Sequence, residues 1–419
     1  MPVSTFLKWG WILATVVDVS GQTRRWVLGL ISAGHFFSHF VMLALPPLFL
    51  LVKPELDVSW TALGAVVSAF AATTAIGQIP AGILVDRYGA RLILIGGMGV
   101  MSICLLLAGF TSGYWELFFL FGIAGIGNSV FHPADFSILA AKLDDSIFGR
   151  AVSIHSFMGY LGWAGASLVM LPLAHLTDWR TALSIVGIVG TIVTVVMLSR
   201  SSYLDDGKGV TNIPVGGKSA NLSIRDNLAV MFSLPLVMMS LFYLLTAMAT
   251  AGIMSFSIVA NVTLYDVEKD FAGGILTAHL VALSGGVLIG GWLADQTERH
   301  NLVASIGVLA MAGAVLALAF GGGLLVVMVA GMLLSGLFYG ISSPSRDLLT
   351  RKSAPEGSAG VAFGFTSTGM SIGNFIGPIL FGWIMDLDQP QLYYILLAIA
   401  IAVSVITVVF TRQRSVSSA

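Results

Sequence analysis

The sequence predicts an all-α, polytopic membrane protein with twelve transmembrane helices in two six-helix, pseudo-symmetric bundles. Hydrophobic residues make up 57% of the 419 residues, charged residues only 10%, and the mean hydropathy is +0.93. Soluble domains carry about a quarter charged residues, so this chain could not keep its surface in water. Apolar runs long enough to cross a hydrocarbon core of ~30 Å recur along the chain. A charged turn also occurs twice, half a chain apart.

The apolar runs divide the chain into two equivalent halves. The N-terminal bundle (26–198) holds candidate spans at about 26–52, 60–84, 92–111, 114–140, 149–171 and 181–198. A polar linker follows at 199–228, and the C-terminal bundle (229–411) holds spans at about 229–263, 270–294, 301–319, 324–349, 358–384 and 391–410. The first span of each half is long enough to be tilted or broken, and Pro46-Pro47 favours a break in the first.

The two ends of the chain are predicted to lie outside the bilayer. In the leader, 1–25, the apolar run 5–17 is too short to span, so it forms either an interfacial helix or a disordered segment. The tail comprises 412–419. With a cytoplasmic N-terminus, seventeen Lys and Arg residues lie inside and only Lys53, Arg180 and Lys269 lie outside. This bias predicts that both termini and the linker are cytoplasmic.

The charged turn follows the second span and reads Gly82-Ile83-Leu84-Val85-Asp86-Arg87-Tyr88-Gly89-Ala90-Arg91. A looser copy reads Gly291-Trp292-Leu293-Ala294-Asp295-Gln296-Thr297-Glu298-Arg299, and Asp295 follows Asp86 by 209 positions. Pro133 and Pro344 repeat at a similar offset of 211. Two six-span halves in parallel repeat are typical of one secondary-transporter architecture.

On these motifs the chain resembles the major facilitator superfamily, whose loop between spans 2 and 3 reads Gly-x-Leu-Ala-Asp-Arg-x-Gly-Arg-Lys. The first turn matches it at Gly82, Leu84, Asp86, Arg87 and Gly89, with Arg91 at the position of the lysine. The second turn matches it at Gly291, Leu293, Ala294, Asp295 and Arg299. The resemblance implies a transporter in a bacterial-type inner membrane that works by alternating access and functions as a monomer.

Within that superfamily, the stretch Phe131-His132-Pro133-Ala134-Asp135 is similar to exporters of the fosmidomycin-resistance type. Those proteins are regarded as exchanging a small molecule for protons. Two features of drug–proton antiporters are missing. Phe121 stands where many of them carry a basic residue in span 4, and the glycines of span 5 are not followed by the proline of the antiporter motif.

The resemblance also implies a gating charge network on the cytoplasmic side. Asp86 would face the N-terminus of span 11, which begins after Glu356-Gly357-Ser358, and Asp135 would join it with Arg87 or Arg91. The predicted members are Asp86, Arg87, Arg91, Asp135, Asp295, Arg299 and Arg346. The alternative is that these charges only hold the loops inside. Glycine stripes on span 5 and span 11 (Gly369, Gly373 and Gly377) are predicted to form surfaces on which the halves rock, or simply to pack.

Histidines at membrane depth are the candidates for proton coupling, because imidazole titrates near neutral pH. They are His35, His39, His132, His155 and His279. A neutral histidine that is hydrogen-bonded to a neighbouring helix is the structural alternative for each. Candidate ligands of a substrate in a cavity are Asn128, Asn374 and Tyr339, and Arg346 could attract an anionic substrate.

These residues favour proton-coupled export of a small organic molecule. The alternatives are uptake or exchange of a metabolite such as an organic anion, divalent metal transport through His35 and His39 with His155 or His279, and a non-transporting receptor on the same fold. The expected partners are a small-molecule substrate, protons and the lipid bilayer, without nucleic acid. No cofactor, resident metal or enzymatic activity is predicted, because the sequence lacks a nucleophile–base set and a phosphate-binding loop.

Overall fold

The computed structural model describes residues 21–207, 230–353 and 359–409. The predicted interfacial helix at 5–17, most of the linker, the residues just before span 11 and the tail at 412–419 lie outside these ranges. Every regular element within them is helical, and twelve helical segments are long and apolar enough to cross a membrane. The predicted fold class of the chain is therefore confirmed.

The helices follow the predicted spans to within several residues. Spans 1 to 6 are Gln22–Leu56, Trp60–Tyr88, Ala90–Ala108, Tyr114–Lys142, Asp145–Leu176 and Trp179–Ser199. Spans 7 to 12 are Leu234–Tyr265, Lys269–Gln296, His300–Ala319, Leu325–Lys352, Ala359–Asp386 and Pro390–Val409. Span 1 is broken as predicted: its first helix ends at Met42, and a 3-10 turn occupies Pro46–Leu48. Span 7 is one continuous helix of 32 residues.

Span 4 contains a break that the sequence analysis did not predict. Its first helix ends at Asn128 and its second begins at Phe131. Pro133 lies in the first turn of the second helix, where its missing N–H would have no intrahelical partner in any case. The second helix, Phe131–Lys142, brings His132 and Asp135 toward spans 1 and 5.

The two halves touch each other on the side of the bundle opposite to the start of span 1, here called the distal side. The Asp386 carboxylate at the end of span 11 accepts hydrogen bonds from the backbone N–H groups of Trp60 (2.7 Å) and Thr61 (2.9 Å). It thereby caps the N-terminus of span 2, where a negative charge is favourable. Farther in, the Ser68 hydroxyl donates to the Phe375 carbonyl at 2.6 Å.

Spans 5 and 8 form a second distal contact between the halves. The Ser167 hydroxyl donates to the Gly273 carbonyl at 3.0 Å, and His175 Nδ1 lies 2.9 Å from Asp270 Oδ2. Each of the two contacts joins one span of the N-terminal half to one span of the C-terminal half. Together they seal the distal side.

The glycine stripes do not lie between the halves. On span 11, a Cβ atom added at Gly373 or Gly377 would lie 2.3 or 2.4 Å from a carbonyl oxygen of span 7, which belongs to the same half. On span 5, a Cβ atom at Gly162 would lie 2.2 Å from the Phe36 carbonyl oxygen of span 1. The rocking surfaces that the sequence suggested are thus close helix packing within each half.

Candidate functional site

A cavity of about 190 Å³ lies between the halves, below the distal seal. Spans 1, 2, 5, 7, 10 and 11 all contribute to its wall, so both halves contact whatever fills it. Its polar lining includes Tyr339 and Asn374, two of the predicted substrate ligands, together with Tyr160, Thr250, Ser343 and Arg346. Cavities between the two bundles are where transporters of this architecture bind substrate.

Arg346 is the only charged side chain among the described residues that line the cavity. Its Nε and Nη2 both lie 3.0 Å from Asp347 Oδ1, and its guanidinium carbon lies 4.5 Å from the centre of the Tyr243 ring. The Tyr243 hydroxyl also donates to Asp347 Oδ1, at 2.6 Å. These contacts fix the guanidinium plane, while Nη1 lies 3.5 Å from the Tyr339 hydroxyl at the cavity wall.

Next to this cavity, four of the five predicted histidines form one cluster, and two of them lie beside the carboxylate of Asp135. This histidine cluster comprises His35 and His39 of span 1, His132 and Asp135 of span 4, and His155 of span 5. The rings of His35 and His155 are stacked with centroids 3.7 Å apart, and His39 and His132 lie 4.4 and 5.4 Å from His35. Asp135 Oδ2 lies 3.6 Å from His35 Nδ1 and 3.7 Å from His155 Nε2.

Asp135 is fully buried, and neither of its carboxylate oxygens has a hydrogen-bond partner within the described part of the chain. Both ring nitrogens of His155 and Nδ1 of His35 are likewise buried and unpartnered. An ionised carboxylate in such a site is costly unless a nearby positive charge or a bound proton neutralises it. A proton on the carboxylate or on a neighbouring imidazole would lower this cost.

The same side chains bear on the metal alternative. One ring nitrogen each of His35, His132 and His155 lies within 4.8 Å of the others, and imidazole binds zinc, copper and nickel. Ligand atoms around a tetrahedral zinc ion lie about 3.4 Å apart, as follows from Zn–N distances of about 2.1 Å. Small movements of the rings would bring the three nitrogens to this spacing, so the geometry is compatible with a metal ion as well as with protons.

The cluster is in contact with the cavity wall. The His39 ring lies 4.5 Å from the Trp163 ring, which in turn lies 5.7 Å from the Tyr160 ring. Trp163 and Tyr160 both line the cavity. The Trp163 side chain thus separates the histidine cluster from the cavity.

Comparison with known proteins decides the family. The sequence profile of the Major Facilitator Superfamily matches residues 31–287 and 240–419, which together cover most of the chain. This chain belongs to the Major Facilitator Superfamily. Members of this family are membrane transporters and not enzymes, and the twelve apolar helices make this chain a multi-pass membrane protein.

Curated relatives are transporters as well. The D-galactonate transporter of Escherichia coli O6:H1 is 22% identical over 60% of this chain and 62% of its own length. The probable galactarate/D-glucarate transporter GudP of Escherichia coli K12 is 30% identical over 32% of each chain. This chain therefore spans about a third to two thirds of the length of these relatives. An uncharacterized transporter of Methanocaldococcus jannaschii is 22% identical over 81% of this chain and 86% of its own.

Solved structures show the same superfamily fold. A bacterial homologue of the human lysosomal transporter Spinster, in an inward-facing and occupied conformation, superimposes with a TM-score of 0.75 at 16% identity, over 94% of this chain and 96% of its own. The nucleoside transporter NupG superimposes with a TM-score of 0.73 at 15% identity, over 92% of this chain and 98% of its own.

The superfamily turn makes contacts that the sequence analysis did not predict. Arg91 Nη1 lies 3.6 Å from Asp205 Oδ2, and the carboxylate of Asp206 accepts from the Ala90 N–H at 3.1 Å and from the Ser137 hydroxyl at 2.8 Å. Asp206 thus caps span 3. The two aspartates directly after span 6, on the same membrane side as the turn, were the available signal for this contact.

The other predicted network members are dispersed. Asp135 lies in the histidine cluster and Arg346 lies at the cavity wall. Arg87 lies over the Tyr88 ring, 5.3 Å from its centre, and Asp295 and Arg299 are exposed. The residues just before span 11, next to the predicted partner of Asp86, fall outside the described ranges, and the gating role of Asp86 stays a prediction.

Two of the predicted binding residues serve helix packing. His279 is fully buried, and its Nδ1 lies 2.9 Å from the Met332 carbonyl oxygen and 3.0 Å from the Ser335 hydroxyl, which joins span 8 to span 10. Asn128 Nδ2 donates to the Thr74 hydroxyl at 3.3 Å, which joins span 4 to span 2. For His279 this geometry favours the hydrogen-bonded alternative.

Gly159 on span 5 allows the histidine cluster to form. A Cβ atom added there would lie 2.8 Å from His35 Nε2 and 3.0 Å from His39 Cε1. Gly159→Ala is expected to displace both rings, to destabilise the fold by about 1–3 kcal/mol as other overpacked sites do, and to reduce transport. Thermal unfolding and proteoliposome flux measure the two effects.

Gly149→Ala on the same helix is the matched control, because a Cβ atom there meets nothing within 4 Å. Equal unfolding temperatures and equal flux for the two variants would contradict the close packing of span 5 on the histidines.

Proposed function

We propose that this protein is a proton-coupled secondary transporter of a small organic anion that works by alternating access. The observation that carries the proposal is Arg346, a fixed guanidinium at the wall of a cavity between the halves. Asp347 binds Nε and Nη2 of this guanidinium, and Nη1, next to the Tyr339 hydroxyl, can donate to a carboxylate in the cavity. The named substrates of the relatives, D-galactonate and galactarate/D-glucarate, are organic anions too, which supports the anion alternative from the sequence.

The distal seal supports alternating access. With the halves joined by Asp386, Ser68 and Ser167 on the distal side, the cavity would exchange its contents with the opposite side, where span 1 begins. The bias in Lys and Arg supports a cytoplasmic assignment for that side. The described conformation would then be the inward-facing one. Transport requires that the distal contacts break as the cytoplasmic side closes.

The histidine cluster supports the proton coupling. Its unpartnered carboxylate and imidazoles could take up a proton from the cytoplasmic side and release it after the halves rearrange. The contact from His39 to Trp163 would let the proton and the anion influence each other. The same cycle can run as proton-coupled export or as uptake. The gradients of protons and of the anion across the membrane determine its direction.

A substrate screen tests the proposed function as a whole. Purified protein in proteoliposomes is expected to exchange one class of radiolabelled organic anion, and an imposed pH gradient should accumulate it against its own gradient. Uncharged and cationic compounds of similar size should not be accumulated. Accumulation of a cation or of a neutral solute, with anions inert, would contradict the proposal.

Alternating access gives a prediction at Gly64 of span 2. A Cβ atom added there would lie 2.1 Å from the Pro378 carbonyl oxygen of span 11 in the other half. Gly64→Ala is therefore expected to prevent distal closure, so that flux falls at least tenfold while membrane insertion is retained. Spin-label distances between the distal ends of spans 2 and 11 should lengthen.

Gly364→Ala on span 11 is the control, since a Cβ atom there meets nothing within 4 Å. Wild-type flux and unchanged distances in Gly64→Ala would show that the distal seal is dispensable for the cycle.

A further inference from the structure

We infer that the anion is a small monoanion with an apolar body of about the size of an aromatic ring, and not a polyhydroxylated sugar acid. This inference rests on the proposed function, because it takes Arg346 as the group that binds the anion. The inferred substrate differs from the sugar acids that the relatives are named for. The composition of the cavity wall carries it.

Most of the cavity wall is apolar. The lining includes several side chains without strong hydrogen-bonding groups, among them Met42, Val67, Phe70, Met254 and Met370. Trp163 and Tyr160 add aromatic faces to the same wall, with their ring centres 5.7 Å apart and their planes at 67°. Methionine and aromatic side chains bind apolar, and in particular aromatic, groups well.

Two hydroxyl groups of the lining already donate hydrogen bonds to backbone carbonyls of their own helices. The Thr250 hydroxyl donates to the Thr246 carbonyl at 2.8 Å, and the Ser343 hydroxyl donates to the Tyr339 carbonyl at 3.0 Å. A hexonate would bring several hydroxyl groups into this space, where Thr250 and Ser343 can accept hydrogen bonds but have no free O–H to donate. Each buried hydroxyl that loses its water costs free energy, so the affinity for such a ligand falls steeply with every hydroxyl.

The charge of the site selects a single carboxylate. Arg346 is the one positive group among the described lining residues, and Asp347 already occupies its Nε and Nη2. Nη1, next to the Tyr339 hydroxyl, is left to bind one anionic group. The second carboxylate of a dianion would then lie against methionine and aromatic side chains, where an unpaired charge is strongly disfavoured.

The volume of the cavity is consistent with a small ligand. About 190 Å³ is less than the roughly 300–1,000 Å³ of pockets that hold drug-sized molecules. An arylacetate would place its carboxylate at Arg346 and its ring between Trp163, Phe70 and the methionines. The cavity thus fits an amphipathic anion in one orientation.

Isothermal titration calorimetry on the purified full-length protein tests this with three probes: phenylacetate, its uncharged analogue phenylacetamide, and D-gluconate. We expect phenylacetate to bind, phenylacetamide to bind at least tenfold more weakly, and D-gluconate to bind at least a hundredfold more weakly. Val67→Thr, which adds a hydroxyl to the wall at nearly constant volume, should narrow the gap between phenylacetate and gluconate. Val195→Thr, at an exposed position of span 6, is the control.

The possible failures are distinguishable. Tighter binding of D-gluconate than of phenylacetate, lost in Arg346→Gln, would overturn this inference and leave the proposed anion transport standing. Equal binding of phenylacetate and phenylacetamide, unaffected by Arg346→Gln, would overturn both, because no anion would then be recognised. Absence of binding for all three probes would overturn the inferred substrate class.

Discussion

Arg346→Gln is expected to lower the affinity for the transported anion by about 10- to 150-fold. The variant removes the only charged group among the described lining residues of the cavity, and hydrogen bonds to charged groups contribute about 1.5–3 kcal/mol each. The measurement is the concentration dependence of anion exchange in proteoliposomes, together with calorimetric binding in detergent.

Two further variants define the cause of this loss. Arg346→Lys keeps the charge but cannot donate from a planar fork to Asp347 and to the cavity together, so it should restore only part of the affinity. Arg351→Gln, one turn farther along span 10 and exposed, removes an equal charge outside the cavity and should exchange the anion normally. Equal losses in the Arg346 and Arg351 variants would indicate a general electrostatic effect instead of a binding site.

Asp135→Asn is expected to abolish anion accumulation driven by a pH gradient while leaving anion exchange largely intact. Asparagine has nearly the shape of aspartate but cannot take up a proton, so the histidine cluster loses the carboxylate that lies beside two of its imidazoles. Because Arg346, the proposed anion-binding group, lies on span 10 and outside the histidine cluster, exchange at equal pH on both sides should continue. The ratio of gradient-driven to exchange flux is the readout.

Asp144→Asn is the matched control for this variant. Asp144 is exposed, and its ion pair with Arg24 lies outside the cluster and the cavity, so the variant should keep both fluxes. Retained pH-driven accumulation in Asp135→Asn would remove the carboxylate from the coupling mechanism and would transfer that role to the histidines alone or to another site.

Much of the fold follows from the sequence, because hydropathy, the bias of Lys and Arg and the repeated turn each report on the relation of the chain to the bilayer. The break after Asn128 was not visible in the same way. Pro133 marks an irregularity in span 4, but Pro344 at the equivalent position of span 10 lies within a continuous helix. Such differences depend on how the neighbouring helices pack, which hydropathy does not report.

The sequence predicts the individual residues of the candidate site better than their arrangement in space. The histidines were recognised individually because each is a titratable group in an apolar segment, and Tyr339, Asn374 and Arg346 were recognised as polar groups at membrane depth. Asp135 was assigned to the charged turn because both lie near the cytoplasmic end of their spans. Only the rotation of the second helix of span 4 brings Asp135 to His35 and His155, and sequence spacing does not fix that rotation across three separate spans.

The central claim is that anion and proton move in the same cycle, and proton movement during anion flux tests it most directly. Proteoliposomes containing a trapped pH dye receive an organic sulfonate that the protein exchanges. A sulfonate keeps its charge, so passive entry of a neutral acid cannot shift the internal pH. We predict an anion-dependent pH change with wild-type protein, none with Asp135→Asn and none in protein-free liposomes. Anion flux without any pH change, identical in wild type and Asp135→Asn, would contradict the account.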